Sequence, residues 1–472
     1  MPVNTRSESV TSTSAVQQAR RARSVLLVLC GALFLDGLDV SMKSVALPSI
    51  GASLSMSPES LQWVVSGYTL GFGGMLLLGG RTADLLGRRR TFLTSLAAFA
   101  VASVVGGLAP TGAVLVAARF ATGISAAFTA PAGLSIITTS FAEGPVRNRA
   151  LSVYSATGAS GFALGLVAGG LLTEASWRWV FFAPVLMALA TLGGAIRLLA
   201  PDAEPAARLR DFDLPGAATV TAAMMLLVFT VVQSPQTGWA STRTLACLVT
   251  VAAALAAFAL IERRSPAPLL NLDLLRSGPL MRANAGAFTL LGGWVGCLFI
   301  VTLYMQQVRG WSALATGLAV CPTGAIVAVL APRVTAPLTR RFGTTALIAA
   351  GLIAATLAYA ALLPLDAHSS YLLGMLPTFV LVGLAFTLAY GPLNIAASKG
   401  VPPHQQGVAG GLVNASYQIG PALAVGAITT VVTAHAGTHP SPSMLMPGLH
   451  NALLIPLAAS VVGAAITITG RS

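Results

Sequence analysis

Asp36, Asp39 and Lys43 interrupt an otherwise apolar run at spacings i, i+3 and i+7. On a helix turning about 100° per residue they fall within roughly 60° of one another, on one face. Asp39 and Lys43 are also an i,i+4 pair that can bond directly. A fourth ionisable residue, Arg119, sits in another apolar run, at a height expected to match Lys43. Charged side chains in hydrocarbon are costly, so each is a functional candidate by default. A buried carboxylate with a raised proton affinity can load a proton near neutral pH and release it when the site opens or a cation displaces it. Asp36, Asp39 and Arg119 are thus candidates for proton coupling. The competing reading of Asp39 with Lys43 is a static ion pair that tethers helices, and that of Arg119 is a bond to backbone carbonyls.

The elements that must hold these residues are membrane spans. The chain has 472 residues, 55% of them hydrophobic and only 9% charged, with a mean hydropathy of +0.80. A soluble domain carries about a quarter charged residues, so lipid must cover much of this surface. The net charge of +13 lies in short arginine clusters between apolar runs, which excludes a nucleic-acid interface and fits membrane loops. Apolar windows near twenty residues predict fourteen spans. The seventh and eighth fall near 215–233 and 244–262, the eleventh near 345–364. With the amino terminus in the cytoplasm, nearly all arginines fall on the cytoplasmic side; only Arg178, Arg243 and Arg309 fall outside. Both termini are then cytoplasmic. Trp177 and Trp179 read as interfacial belt residues.

The expected organisation is a polar, disordered cytoplasmic tail over 1–24, a six-helix bundle over 25–199, two inserted helices and linkers over 200–280, and a second six-helix bundle over 281–472. An internal echo supports two related halves: Arg81, Leu86, Arg88 and Arg89 match Arg333, Leu338, Arg340 and Arg341. A transporter built from such repeats places its site at the midplane between the halves. Polar candidates for that cavity are Gln62, Tyr68, Asn284, Asn394, Asn414 and Gln418 beside Asp36, Asp39 and Lys43. Tyr154, Phe288, Trp294 and Phe386 could add aromatic surface. The glycines Gly161, Gly165 and Gly169 recur every four residues, which permits close helix contact.

Other chemistries find no support. No Gly-x-x-x-x-Gly-Lys-Ser/Thr frame surrounds Lys399, so an ATP-driven pump is not indicated. Cys30, Cys247, Cys297 and Cys321 lack metal spacing and read as small core residues. The five histidines fall in or near loops. The chain reads as a non-enzyme with no cofactor or metal, driven by an ion gradient.

Several stretches together resemble the major facilitator superfamily, and within it the fourteen-span drug:proton antiporters. Gly80-Arg81-Thr82-Ala83-Asp84-Leu85-Leu86-Gly87-Arg88-Arg89 resembles the loop between the second and third spans, with Thr82 in place of Leu. The run Leu38–Pro48 resembles that group's first-span pattern, with Lys43 and Ser44 where it has an apolar residue and Asn. Arg119 with Gly123 resembles its Arg-x-x-x-Gly; Gly161, Gly165, Gly169 and Gly170 resemble its fifth-span antiporter motif, with Leu166 where Pro is usual. Trp177–Phe181, Glu262–Leu270 and Asn414–Gly420 resemble further segments.

The resemblance implies an all-α membrane fold of two pseudo-symmetric six-helix bundles plus two central helices, working as a monomer in a bacterial cytoplasmic membrane. It implies proton-coupled efflux of amphipathic drugs or a natural product by alternating access, with small-molecule substrate, protons and lipid as partners. It favours Asp39 as the protonated acid, whereas Asp36 is the acid without a partner in its own helix. It makes Gly80, Asp84, Gly87 and Arg88 a conformational gate, in which Asp84 caps a helix of the other half and Arg88 adds an ion pair across the seam. Lys43, Arg119 and Leu166 leave a second reading open, an exporter or uniporter of an anionic or zwitterionic metabolite. A lipid-handling or sensor protein on the same fold is a third.

Overall fold

The computed structural model describes residues 5–56, 58–141, 143–202, 213–265, 268, 270, 272–366, 368–402, 405–436 and 442–469. These form fourteen α-helices: α1 (Thr5–Leu54), α2 (Pro58–Leu86), α3 (Arg88–Gly107), α4 (Gly112–Ser140), α5 (Pro145–Ala175), α6 (Trp179–Leu198), α7 (Leu214–Thr237), α8 (Thr242–Arg264), α9 (Gly278–Leu303), α10 (Ala313–Phe342), α11 (Thr344–Ala360), α12 (Leu376–Ser398), α13 (Gln406–Ala436) and α14 (Pro442–Thr469). Twelve helical segments are long and apolar enough to cross a membrane; the apolar segments Pro215–Val231 and Thr344–Ala360 are shorter. They lie in α7 and in α11, two of the fourteen expected spans.

Local sequence sets the ends. Thr111, Asp213, Ser241 and Ser312 each precede a helix and accept a backbone N–H from its first turn, at 3.4, 2.8, 3.2 and 3.1 Å. At the other pole, α1 starts at Thr5, so part of the 1–24 segment expected to be disordered is helical. Its Ala15, Gln17, Gln18, Ala19 and Arg20 are good helix formers that let the first span continue backward.

Packing sorts most of the helices into two groups. α1–α6 pack among themselves, as do α9–α14; α2 with α13 and α5 with α10 and α12 form the seam between the two groups. α7 lies over that seam, against both α2 and α13, and carries α8 on its outer side. Trp63 of α2 stacks on Phe229 of α7 at 5.8 Å, and the Trp239 indole donates to the Gly426 carbonyl of α13 at 3.4 Å. α8 turns Leu245, Val249 and Leu260 outward, as a lipid-facing helix would.

The glycine stripe on α5 is an α1 contact. A Cβ at Gly161 would enter the Phe34 carbonyl; one at Gly165 would enter Ser41 and the Leu38 carbonyl; one at Gly169 would meet Met42 backbone. This close approach fixes the rotation of α1, and therefore where its acids point. Gly170 is off the stripe and faces Leu314 of α10 at ordinary contact distance, 3.6 Å. Gly165→Val is therefore expected to destabilise the detergent-solubilised protein by about 1–3 kcal/mol through overpacking, whereas Gly170→Ala leaves thermal unfolding unchanged. Equal midpoints for the two variants would refute this packing account.

Trp177 departs from the belt reading. It is buried, in edge-to-face contact with Phe181 at 5.9 Å, under the Arg178 guanidinium at 4.6 Å. Arg178 also accounts for its own position, donating to the Gly107 and Ala109 carbonyls at 2.7 and 3.2 Å at the end of α3. Trp179 does stay half exposed.

Candidate functional site: an acid pair at mid-span and a clasp at the arginine-rich end

α1 delivers Asp36, Asp39 and Lys43 to the interior, where α2 and α4 meet it. The two acids have different environments. Asp39 is 0% exposed and lies between two cations that are 1% and 2% exposed, Lys43 and Arg119. The Lys43 ammonium donates to Asp39 Oδ1, and Arg119 NH1 donates to Oδ2 at 2.8 Å. Aromatic faces complete both cation sites: Lys43 Nζ lies 4.6 Å from the Phe181 ring centre and Arg119 Cζ lies 4.8 Å from that of Tyr68. Arg119 also donates to the Val64 carbonyl at 3.0 Å and to Thr122 at 3.4 Å. The two readings of Arg119, carboxylate partner and backbone tie, thus hold together. Counting formal charges, the triad sums to +1 − 1 + 1 = +1.

Among the described residues, Asp36 has one hydrogen bond, from the Tyr68 hydroxyl of α2, and keeps partial exposure although it lies mid-span. Sequence spacing missed Tyr68 as its partner because the pairing spans two helices.

The polar residues expected to line a cavity separate in the same way. Asn414 and Gln418 on α13 remain partly exposed. Asn284 is buried and bonded to the Leu280 carbonyl and to Ser416, tying α9 to α13. Asn394 donates to Ser155 across the seam at 3.1 Å. Asp39, Lys43 and Tyr68, expected in the same cavity, are buried: Lys43 and Arg119 enclose Asp39, and Tyr68 bonds to Asp36. Gln62 falls outside the residues whose side chains are described.

The second cluster lies at the arginine-rich end. Asp84, on the last turn of α2, accepts from the Gly407 N–H in the first turn of α13, at 3.0 Å to Oδ2 and 3.3 Å to Oδ1. A carboxylate there meets the positive pole of the helix. Gly80 and Gly407 face each other so closely that a Cβ on either would enter the other's carbonyl. Arg88 NH2 lies 3.7 Å from Asp84 Oδ1, an i,i+4 pair within the first half. Gly87, at φ 103°, breaks the chain between α2 and α3. Asp202, which sequence reading passed over, caps α3 by accepting from the Arg89 and Arg90 N–H groups at 3.0 and 2.9 Å. The signal available for it was an acid shortly after a span, facing a helix start that lacks its own capping side chain.

Comparison with known proteins decides the family. Residues 29–425 match the Major Facilitator Superfamily model. The chain belongs to the major facilitator superfamily. This superfamily member is 39% identical over 441 residues to the cephamycin export protein CmcT of Amycolatopsis lactamdurans, with 92% of this chain and 89% of that one covered. It is 37% identical to the puromycin resistance protein pur8 of Streptomyces alboniger, covering 92% and 88%. With the lincomycin resistance protein of Streptomyces lincolnensis it shares 33% identity, over 95% and 94%. Solved structures agree in fold: the human organic anion transporter MFSD10 (TM-score 0.68, 18% identity, 94% and 99% covered) and the proton:xylose symporter XylE (0.67, 15%, 96% and 96%). The chain is therefore a multi-pass transporter, not an enzyme, and the three relatives named above are bacterial export and resistance proteins.

The clasp in this facilitator carries a direct expectation. Asp84→Ala removes an N-cap of the kind that contributes about 1 kcal/mol, which shifts the closed-to-open balance at this end about fivefold. Ser152, buried on α5 against Gly391 of α12, reports it: in a cysteine-free background, Ser152→Cys is expected to react with maleimide about fivefold faster once Asp84 is Ala. An unchanged rate would remove Asp84 from the gate.

Proposed function

We propose that the protein is a fourteen-span, proton-coupled exporter of amphipathic drugs or a natural product, with both termini in the cytoplasm of a bacterial cell. Efflux is supported by relatives that are named for antibiotic export and resistance. Proton coupling is supported by one observation above the rest: among the described residues, one mid-span carboxylate, Asp36, keeps partial exposure, one hydrogen bond and no ion pair, while the other, Asp39, is fixed between two cations. A carboxylate in low dielectric that lacks a cation partner is the group that changes protonation when its surroundings change. Asp36 therefore takes a proton from outside when substrate leaves and returns it inside as substrate binds. Gly80, Asp84, Gly87 and Arg88 hold the inner gate shut during the outward-facing half of this cycle. The arginine-rich loops support this orientation.

The anionic-metabolite reading drew on Lys43 and Arg119. Both cations are committed to Asp39 and sealed from solvent, so neither is free to receive a substrate anion. The test is exchange in vesicles reconstituted with purified protein. An imposed pH gradient is expected to drive puromycin or a cationic dye against its concentration gradient, with protons moving the other way. Transport at the same rate after the gradient is collapsed by an ionophore would refute coupling.

A further inference from the structure

Two helices of the second half close the arginine-rich end against the first half, each on a different partner. α13 docks on α2: Gly407 lies against Gly80 and Asp84, and a Cβ at Gly411 would come within 3.0 Å of the Leu76 carbonyl. α12 docks on α5: Gly391 faces Ser152, and Asn394 donates to Ser155 at 3.1 Å. α12 packs chiefly on α11 and α10, and α13 chiefly on α9 and α2. The rings of Tyr390 and Tyr417 meet deeper in the span, at 4.9 Å centre to centre. At the arginine-rich end the two helices are joined through Gln406.

Gln406 opens α13 and is 4% exposed. Its Nε2 donates to the Ser398 carbonyl at 3.2 Å and to the Val401 carbonyl at 2.6 Å. Ser398 is the last residue of α12, and the final carbonyls of a helix have no partner within it. Gly400, at φ 72°, makes the left-handed turn that follows. Gln406 Oε1 accepts no hydrogen bond, so the two carbonyls set the direction of the amide. The next residue, Gly407, gives its N–H to Asp84. A polar line thus runs from the end of α12, through Gln406 and the start of α13, to the end of α2.

Resting on the inner-gate reading above, we infer that Gln406 is a positioning residue that couples these two contacts, so that α12 leaves α5 when α13 leaves α2. The approach of Gly80 to Gly407 has no room for a Cβ on either side, so the first turn of α13 must be held closely in place, and the amide holds it to α12. When Asp84 releases Gly407, the same two bonds carry the movement to α12. Without them the clasp holds α13 alone, and α12 parts from α5 independently. Gln406 is then a two-state link that both contacts bias.

The test uses full-length protein in nanodiscs, cysteine-free apart from Ser152→Cys, and reads the rate of maleimide reaction. Gln406→Met has matching length and no donor. Its labelling is expected to rise about fivefold, the whole of what the clasp contributes at that site. Asp84→Ala then adds less than about twofold in the Gln406→Met background, because the link it acts through is gone. A role for Gln406 in local stability alone would give independent effects that multiply to about 25-fold. Gln406→Asn keeps the amide but is a methylene too short to reach both carbonyls, and is expected to match Gln406→Met. Thermal unfolding of each variant is read alongside, which keeps the comparison among folded proteins. A wild-type rate in folded Gln406→Met and Gln406→Asn, or effects that multiply with Asp84→Ala, would overturn the inference. The gate reading fails separately. An unchanged rate in Asp84→Ala would sink the clasp and the coupling with it, whereas a fivefold rise in Asp84→Ala beside a wild-type rate in Gln406→Met removes only the role of Gln406.

Discussion

Vesicles containing the Asp36→Asn protein lose uphill, gradient-driven transport while the protein stays folded. The amide is isosteric with the acid and can still accept the Tyr68 hydroxyl bond, so the α1–α2 contact survives. What it cannot do is bind and release a proton. Counterflow, in which labelled substrate exchanges for unlabelled substrate with no net proton movement, persists at reduced affinity because the amide keeps shape but not charge. The combination separates a coupling residue from a structural one: active transport falls to the level of protein-free vesicles, while the unfolding midpoint stays within a degree or two. Gradient-driven export surviving in Asp36→Asn would transfer the coupling role to Asp39 and reverse the assignment made from geometry.

The triad carries the largest stability effect. Asp39→Asn leaves Lys43 and Arg119 buried, 1% and 2% exposed, with no counter-charge between them. Removing one partner of a buried ion pair destabilises by about 3–5 kcal/mol, because the remaining charge is uncompensated. Here two like charges are left facing each other. Lys43→Met behaves differently. It removes the surplus cation, keeps a long apolar side chain against Phe181, and leaves Asp39 with Arg119 as a one-to-one pair. Replacing a buried charge with a packed apolar group is often neutral or stabilising, so its unfolding midpoint should stay near that of the wild type or rise. Asp39→Asn combined with Lys43→Met should recover part of the loss, since one buried cation then remains in place of two. Denaturant unfolding in detergent or nanodiscs measures all three. A mild Asp39→Asn or a severe Lys43→Met would show that the triad does not hold the first half together as its geometry implies.

Much of this molecule was legible in the residues. Asp36, Asp39 and Lys43 fall on one face because a helix has one period, and the Asp39–Lys43 pair needs only that period. The Asp84 cap on the other half and the tight α1–α5 stripe at Gly161, Gly165 and Gly169 also follow from the sequence pattern, the first by resemblance and the second by the spacing of small residues. The places where expectation and structure part are those where a side chain's partner lies on another helix. Trp177 was expected in a lipid belt and is buried on Phe181. Asp39 and Lys43 were expected in an open cavity and are closed by Arg119.

The sequence by itself determined the class of molecule: its hydropathy demands lipid, its arginine clusters mark one side, and its period places two acids and a lysine on one helical face. Which acid is free was decided only in three dimensions. Asp36 and Asp39 are both aspartates on the same helix, three residues apart, and nothing local distinguishes them. The difference is Arg119, 80 positions from Asp39 along the chain, which reaches one carboxylate, while Tyr68 from α2 reaches the other. A carboxylate's proton affinity depends on the charge and dielectric within a few ångströms, and helices distant in sequence supply those here.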